Sequence, residues 1–199
     1  LKRLDIKKES YPFDWIFSNL KNVEHAIKDD FNIFLDQQYY INTDLESKKQ
    51  CHSYYFQNGA TMFNHHNPLN QKHYDYFVRC VNRFNTLLLE KECKLFVLTY
   101  INLEIVSFTS IQNKIHEFKK FFDNIVSNYR LLVILHFISD TQTHTFNIYD
   151  NVDFLILSTK SKSDGCKFID FEDNTYLDMV IFSRYNFNIK KLIPKIILV

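Results

Sequence analysis

The sequence predicts an α/β fold: a three-layer α/β/α arrangement with a mostly parallel central sheet and an edge β-hairpin. Three observations carry this. Leu95 to Ile101 and Leu131 to Ile138 are continuous apolar runs of strand length. Continuous rather than alternating runs are buried on both faces, as in parallel sheets. Between them, Ser107 to Ser127 is amphipathic at helical spacing, with Phe108, Ile111, Ile115, Phe118, Phe122 and Ile125 on one side. Strand, helix, strand in this order is a β–α–β unit with a right-handed crossover. An α+β, papain-like arrangement is the alternative.

The elements follow in order. Leu1 to Lys8 reads as the end of a helix. Ser10-Tyr11-Pro12 stops it, because proline disfavours helix in the residue before it. Asp14 is a candidate N-cap for a helix whose stripe is Ile16, Leu20, Val23 and Ile27. A helical turn follows at Phe31, Phe34 and Leu35. Tyr39–Ile41 and Ser53–Phe56 read as short strands, Asn58-Gly59 as a turn, and Thr61–Phe63 as another short strand. Asn70 to about Lys91 is the longest helix, with Tyr74, Phe77, Val81, Phe84 and Leu88 as its core stripe. After the β–α–β unit, Thr143–Tyr149 and Val152–Ser158 alternate around Asp150-Asn151, which predicts a hairpin. Lys167–Phe171 reads as a last short strand and Thr175–Tyr185 as a closing helix. No repeat, linker or low-complexity tract interrupts the 199 residues, so one domain is expected.

Composition excludes several functions. Only Gly59 and Gly165 are present, where an average chain of this length carries roughly 14. Phosphate cradles need glycines for close backbone approach, so dinucleotide and nucleoside triphosphate loops cannot be written. No cofactor is expected. A net charge of +1 predicts neither nucleic acid nor a membrane surface as partner. No apolar run approaches a bilayer-spanning length. Four cysteines with no C-x-x-C pair predict free thiols in a reducing, cytoplasmic compartment. The start at Leu1, without Met, and the apolar end predict a chain cut at its start.

Candidate chemistry lies in two places. His65 and His66 precede the long helix, with His73 and Asp75 at its first turn. Histidine is the usual proton carrier near neutral pH. The spacing matches no helical zinc pattern, and no metal is expected. These histidines read either as structural or as a general base. Asp14, beside Trp15, reads either as a helix cap or as the carboxylate that orients a histidine. Arg83, one turn from Arg79, lies either on a solvated face or in a clamp for a carboxylate or phosphate. The second place is the carboxyl ends of the core strands, where open α/β sheets bind ligands. There Asn102 and His136 are substrate-binding candidates, with Glu104, Ser139 and Asp140 nearby. Cys80 and Cys93 read as packing residues, and Cys166 as the most reactive thiol.

Leu1-Lys2-Arg3, followed by Ser10-Tyr11-Pro12-Phe13-Asp14-Trp15-Ile16-Phe17-Ser18, resembles the putative papain-like cysteine peptidase family, whose function is otherwise unknown. Asp30-Phe31, Phe63-Asn64-His65-His66, the stretch RCVNRF from Arg79 to Phe84, and Leu95-Phe96-Val97 extend the resemblance through the first half of the chain. It implies a Cys–His hydrolase with His65 or His66 as general base and Asp14 as its orienting carboxylate. The family's nucleophile belongs to a Ser-Leu-Gly-x-x-Cys element ahead of the leucine–arginine stretch, so it is expected upstream of Leu1. The rival readings are a carbohydrate- or acyl-group transferase on a Rossmann-like sheet and a non-catalytic binding module.

Overall fold

The computed structural model describes residues 9–44, 49–56 and 61–187. The readings at Leu1–Lys8 and Asn58-Gly59 lie outside these residues. The chain divides into two compact units. One, the sheet unit, takes Lys91–Ser110 and the chain from Asn128 onward. The other, the helical unit, takes Glu9–Glu90 and Ile111–Ser127.

The sheet unit holds β3 (Lys94–Leu103), β4 (Tyr129–Ile138), β5 (Thr143–Tyr149), β6 (Val152–Thr159) and α5 (Phe171–Arg184). The helical unit holds α1 (Leu20–Lys28), α2 (Asn32–Leu35), β1 (Tyr40–Asp44), β2 (Lys49–His52), α3 (Gln71–Leu89) and most of α4 (Phe108–Phe122).

The strand order is β3-β4-β6-β5. β3 and β6 both run parallel to β4, and β5 runs antiparallel to β6. The α/β class, the mostly parallel sheet and the hairpin are therefore as expected. This sheet is not the antiparallel barrel that the papain-like alternative implies.

Both faces of β4 are buried, which explains its unbroken apolar run. Leu132 and Ile134 share one cluster with Leu155 and Leu157 of β6 and with Phe168, Val180 and Ile181. That cluster seats α5 on the sheet. Leu131, Val133 and Leu135 alternate with them and are equally buried. Asp150 takes the left-handed conformation in the hairpin turn (φ 57°), which Asp tolerates better than most side chains. The short strand expected at Lys167–Phe171 reduces to one bridge, Ser163 to Phe168. The closing helix instead starts at Phe171, because the Asp170 carboxylate accepts from the Glu172 N–H.

In the helical unit the first helix starts later than the apolar spacing suggested. Asn19, not Asp14, is its cap, accepting from the Asn22 N–H at 3.0 Å. Asp14 closes a turn by accepting the Tyr11 N–H. Ile16 leaves the helical stripe and bridges Phe63 in antiparallel fashion. The second short strand ends at His52 rather than running from Ser53. The N–H groups of Tyr55 and Phe56 both donate to the His52 carbonyl, which curls the chain into a turn. The long helix is as expected, with Asn70 capping the Lys72 N–H.

Candidate active site

The helical unit is organised around aromatic rings. Phe13 packs on Phe31, Phe34 and Phe84, with centroids 5.7, 6.2 and 5.8 Å away. Phe34 continues the cluster to Phe63 and Phe77. Phe31 holds its place in a left-handed backbone conformation (φ 59°), which is uncommon for a bulky side chain.

This core brings the Asp14–Trp15 and His65–His66 segments side by side. The Ile16–Phe63 bridge joins them, and the Phe17 N–H donates to the Met62 carbonyl at 2.9 Å. The Trp15 ring meets the His65 ring edge-on, centroids 5.3 Å apart. Asp14 and His65 are both exposed.

His66 turns to the first turns of α3. Its ring lies 4.3 Å from that of Tyr76, 5.2 Å from His73 and 6.0 Å from Phe77. His73 fixes the loop in turn, its Nδ1 accepting the Asn67 N–H at 2.9 Å. Burial, then the neighbouring His73 and His65, push the His66 pKa below the usual histidine value. A neutral imidazole at neutral pH can accept a proton, which a general base must do.

Tyr76 escaped the sequence reading. Its ring packs between those of His66 and Phe77, centroids 4.3 and 5.5 Å away. Burial first, with Cys80 and Asp14 adding, pushes its phenol up to about 12. The signal was a second stripe on α3: Tyr76, Cys80 and Arg83 recur one and nearly two turns apart, beside the Phe77–Phe84 stripe. Arg83 binds the chain's own preceding segment, reaching the Glu9 carboxylate (3.8 Å) and the Ser10 carbonyl (3.5 Å).

Residues 1–139 match the family described as putative papain-like cysteine peptidase. The chain belongs to this family. No curated protein and no solved structure matches it. Phe13, Phe31, Phe63 and Phe84, all within the matched residues, contribute rings to the same cluster. Their polar neighbours Asp14, Asp30, His65 and Arg83 flank these rings in sequence.

The papain-like name implies a reactive cysteine. Cys51 and Cys80 are buried, and burial pushes both thiols up, so they rest protonated. Cys93 and Cys166 are exposed, in the sheet unit. Among the described residues no group of histidine, cysteine and carboxylate side chains could hold a metal ion. No helix among them is long and apolar enough to cross a membrane.

Asn102 and His136 lie in the sheet unit and bond to each other and to its loops. The His136 ring is 1% exposed. Its Nδ1 accepts the Asn102 N–H (3.1 Å), and its Nε2 meets the Thr159 hydroxyl (2.7 Å). That hydroxyl donates to the Ser161 carbonyl, so it receives the Nε2 proton. The imidazole is therefore neutral with both nitrogens occupied. Burial pushes its pKa down, against the Asp173 charge. The Asn102 amide pairs with the Ser163 backbone in both directions, at 2.8 and 2.9 Å. Asp173 accepts from Gln142, the Lys160 N–H, and both the N–H and hydroxyl of Ser161. These bonds fasten residues 160–163 at the carboxyl ends of the strands.

Proposed function

We propose that this chain supplies the proton-handling side of a Cys–His hydrolase centre, with His66 as general base and Asp14 as the acidic group of the adjoining turn. In such a centre a thiol gives its proton to the imidazole, the thiolate attacks an acyl carbon, and the imidazolium returns the proton to the leaving group. The nucleophile is the cysteine of the family's Ser-Leu-Gly-x-x-Cys element. One observation carries the reading: the Ile16–Phe63 bridge sets the Asp14–Trp15 turn against the histidine loop. Family membership and the lowered pKa of His66 support it. Asn102 and His136 then serve to hold the sheet unit's loops rather than to bind substrate.

The test is thiol labelling of the full-length protein with an acyl-mimetic electrophile such as a peptidyl vinyl sulfone. Mass spectrometry maps the modified residue. One cysteine should react at least ~100-fold faster in the wild type than in His66→Ala, as removal of a general base costs about 10²–10⁴-fold. Equal rates in the two proteins exclude His66 as the base. Labelling confined to Cys93 and Cys166 sinks the hydrolase.

A further inference from the structure

We propose that Tyr76 is a positioning residue for His66, holding the imidazole against the start of α3. The inference rests on the hydrolase reading for its meaning in catalysis, but its geometry stands alone. A histidine in a loop has two free side-chain torsions, and a base must keep one orientation. His66 is the middle of three consecutive loop positions. The chain flanking it is tied down through Asn67, whose N–H donates to His73. That bond fixes the backbone and leaves the His66 ring to be fixed by what it touches. The nearest ring is Tyr76, with planes tilted by 37°. His73 and Phe77 meet the imidazole nearly edge-on, at 73° and 89°.

Tyr76 is itself held by packing. Its ring packs on Phe77, centroids 5.5 Å apart, on the rim of the phenylalanine cluster. Tyr76 thus joins the histidine loop to the buried face of α3. The groups that set the protonation of His66 are His73 and His65, with Asp14 acting on Tyr76 and Cys80, and Arg79 and Arg83 on Cys80.

The experiment is an NMR pH titration of the His66 ring in the full chain, for wild type, Tyr76→Phe and Tyr76→Leu. In Tyr76→Leu the ring contact is gone, water reaches the imidazole, and the midpoint should rise toward the ordinary histidine value. Tyr76→Phe keeps the ring, so its midpoint should stay at the wild-type value. A Tyr76→Leu protein with a folded amide spectrum and a wild-type His66 midpoint overturns the proposal. Should the leucine variant fail to fold, a Tyr76→Phe midpoint at the ordinary histidine value overturns it equally, because the ring would then not be what holds the imidazole. The titration needs no activity, so it decides Tyr76 separately from the labelling that decides the hydrolase.

Discussion

The rings of Trp15 and His65 lie 5.3 Å apart at 77°, joining two segments separated by about fifty residues of chain. Trp15 is the only tryptophan, so the protein's indole emission comes from this residue. His65→Ala removes the ring packed against it, so the emission maximum should move to longer wavelength as water reaches the indole. An emission spectrum unchanged in His65→Ala would show that the rings separate in solution.

Asp153 has no exposed surface, yet it carries a charge. Burial alone would raise its pKa. The Arg130 fork at 3.2 and 2.6 Å, the Tyr185 hydroxyl at 2.7 Å and the Arg184 charge outweigh burial and hold it below the usual carboxylate range. Asp153→Ala should cost about 1–3 kcal/mol of unfolding free energy, because two guanidinium groups and a phenol lose their shared acceptor. Both arginines are about one-third exposed, which keeps the loss below that of a fully buried pair. Urea denaturation measures it.

Acid should destabilise the protein in two stages. Burial is the leading cause that lowers the pKa values of His52, His66 and His136 from 6.5. The unfolded chain therefore takes up protons first as pH drops below 6.5, and stability falls from there toward the folded-state values. Asp153 and Asp173 are lowered from 3.8, so their contribution is intact above 3.8 and is lost as pH falls through their folded values. Denaturation midpoints between pH 8 and pH 3, chosen to span both windows, should decline in these two ranges. A flat profile from pH 6.5 to pH 5 would contradict the neutral histidines.

Asp30 adopts φ 49° immediately before Phe31 at φ 59°, and its carboxylate accepts the Asn85 amide at 3.0 Å. Asp30→Ala keeps a β-carbon in the left-handed region and loses that bond, so it should destabilise by about 1–2 kcal/mol. Asp30→Gly loses the bond but frees the backbone, so it should cost measurably less. Thermal melts of the pair give the order, and the reverse order would mean the conformation is not strained.

The parts of the fold that were legible are those where one kind of force dominates. β4 announces itself as an unbroken apolar run because both its faces are dry, whereas β3 carries a similar run at the sheet edge, where it is mostly only half-buried, so the expectation that it is buried on both faces does not hold. The long helix could be started at Asn70 because its stripe begins there, and its cap is a local bond to the next turn. Asp14 was harder, since an aspartate after Pro12 can cap a helix or close a turn. The bridge from Ile16 to Phe63 decided it, and that is a long-range contact. The edge hairpin of Thr143–Tyr149 and Val152–Ser158 was legible, with β5 at the edge and β6 as its inner strand. Its polar Asp153 suits an interior strand only because Arg130 reaches it from β4. His65, His66 and Asp14 could be named from residue type and family pattern. Tyr76 could not, because one helix stripe says which residues face the core and not which ring meets a loop arriving from elsewhere.

The path of the chain through the two units decides how the protein can be dissected. Among the described residues it passes between them after residues 90, 110 and 127, so neither unit is one uninterrupted stretch. A fragment ending at Glu90 would retain Asp14, His65 and His66 but lose the later residues of α4, including Phe121, over which the Lys28 ammonium sits at 4.8 Å. Limited proteolysis should therefore release nested, interdependent pieces rather than two autonomous halves, and the histidine loop should be studied only within the uncut polypeptide.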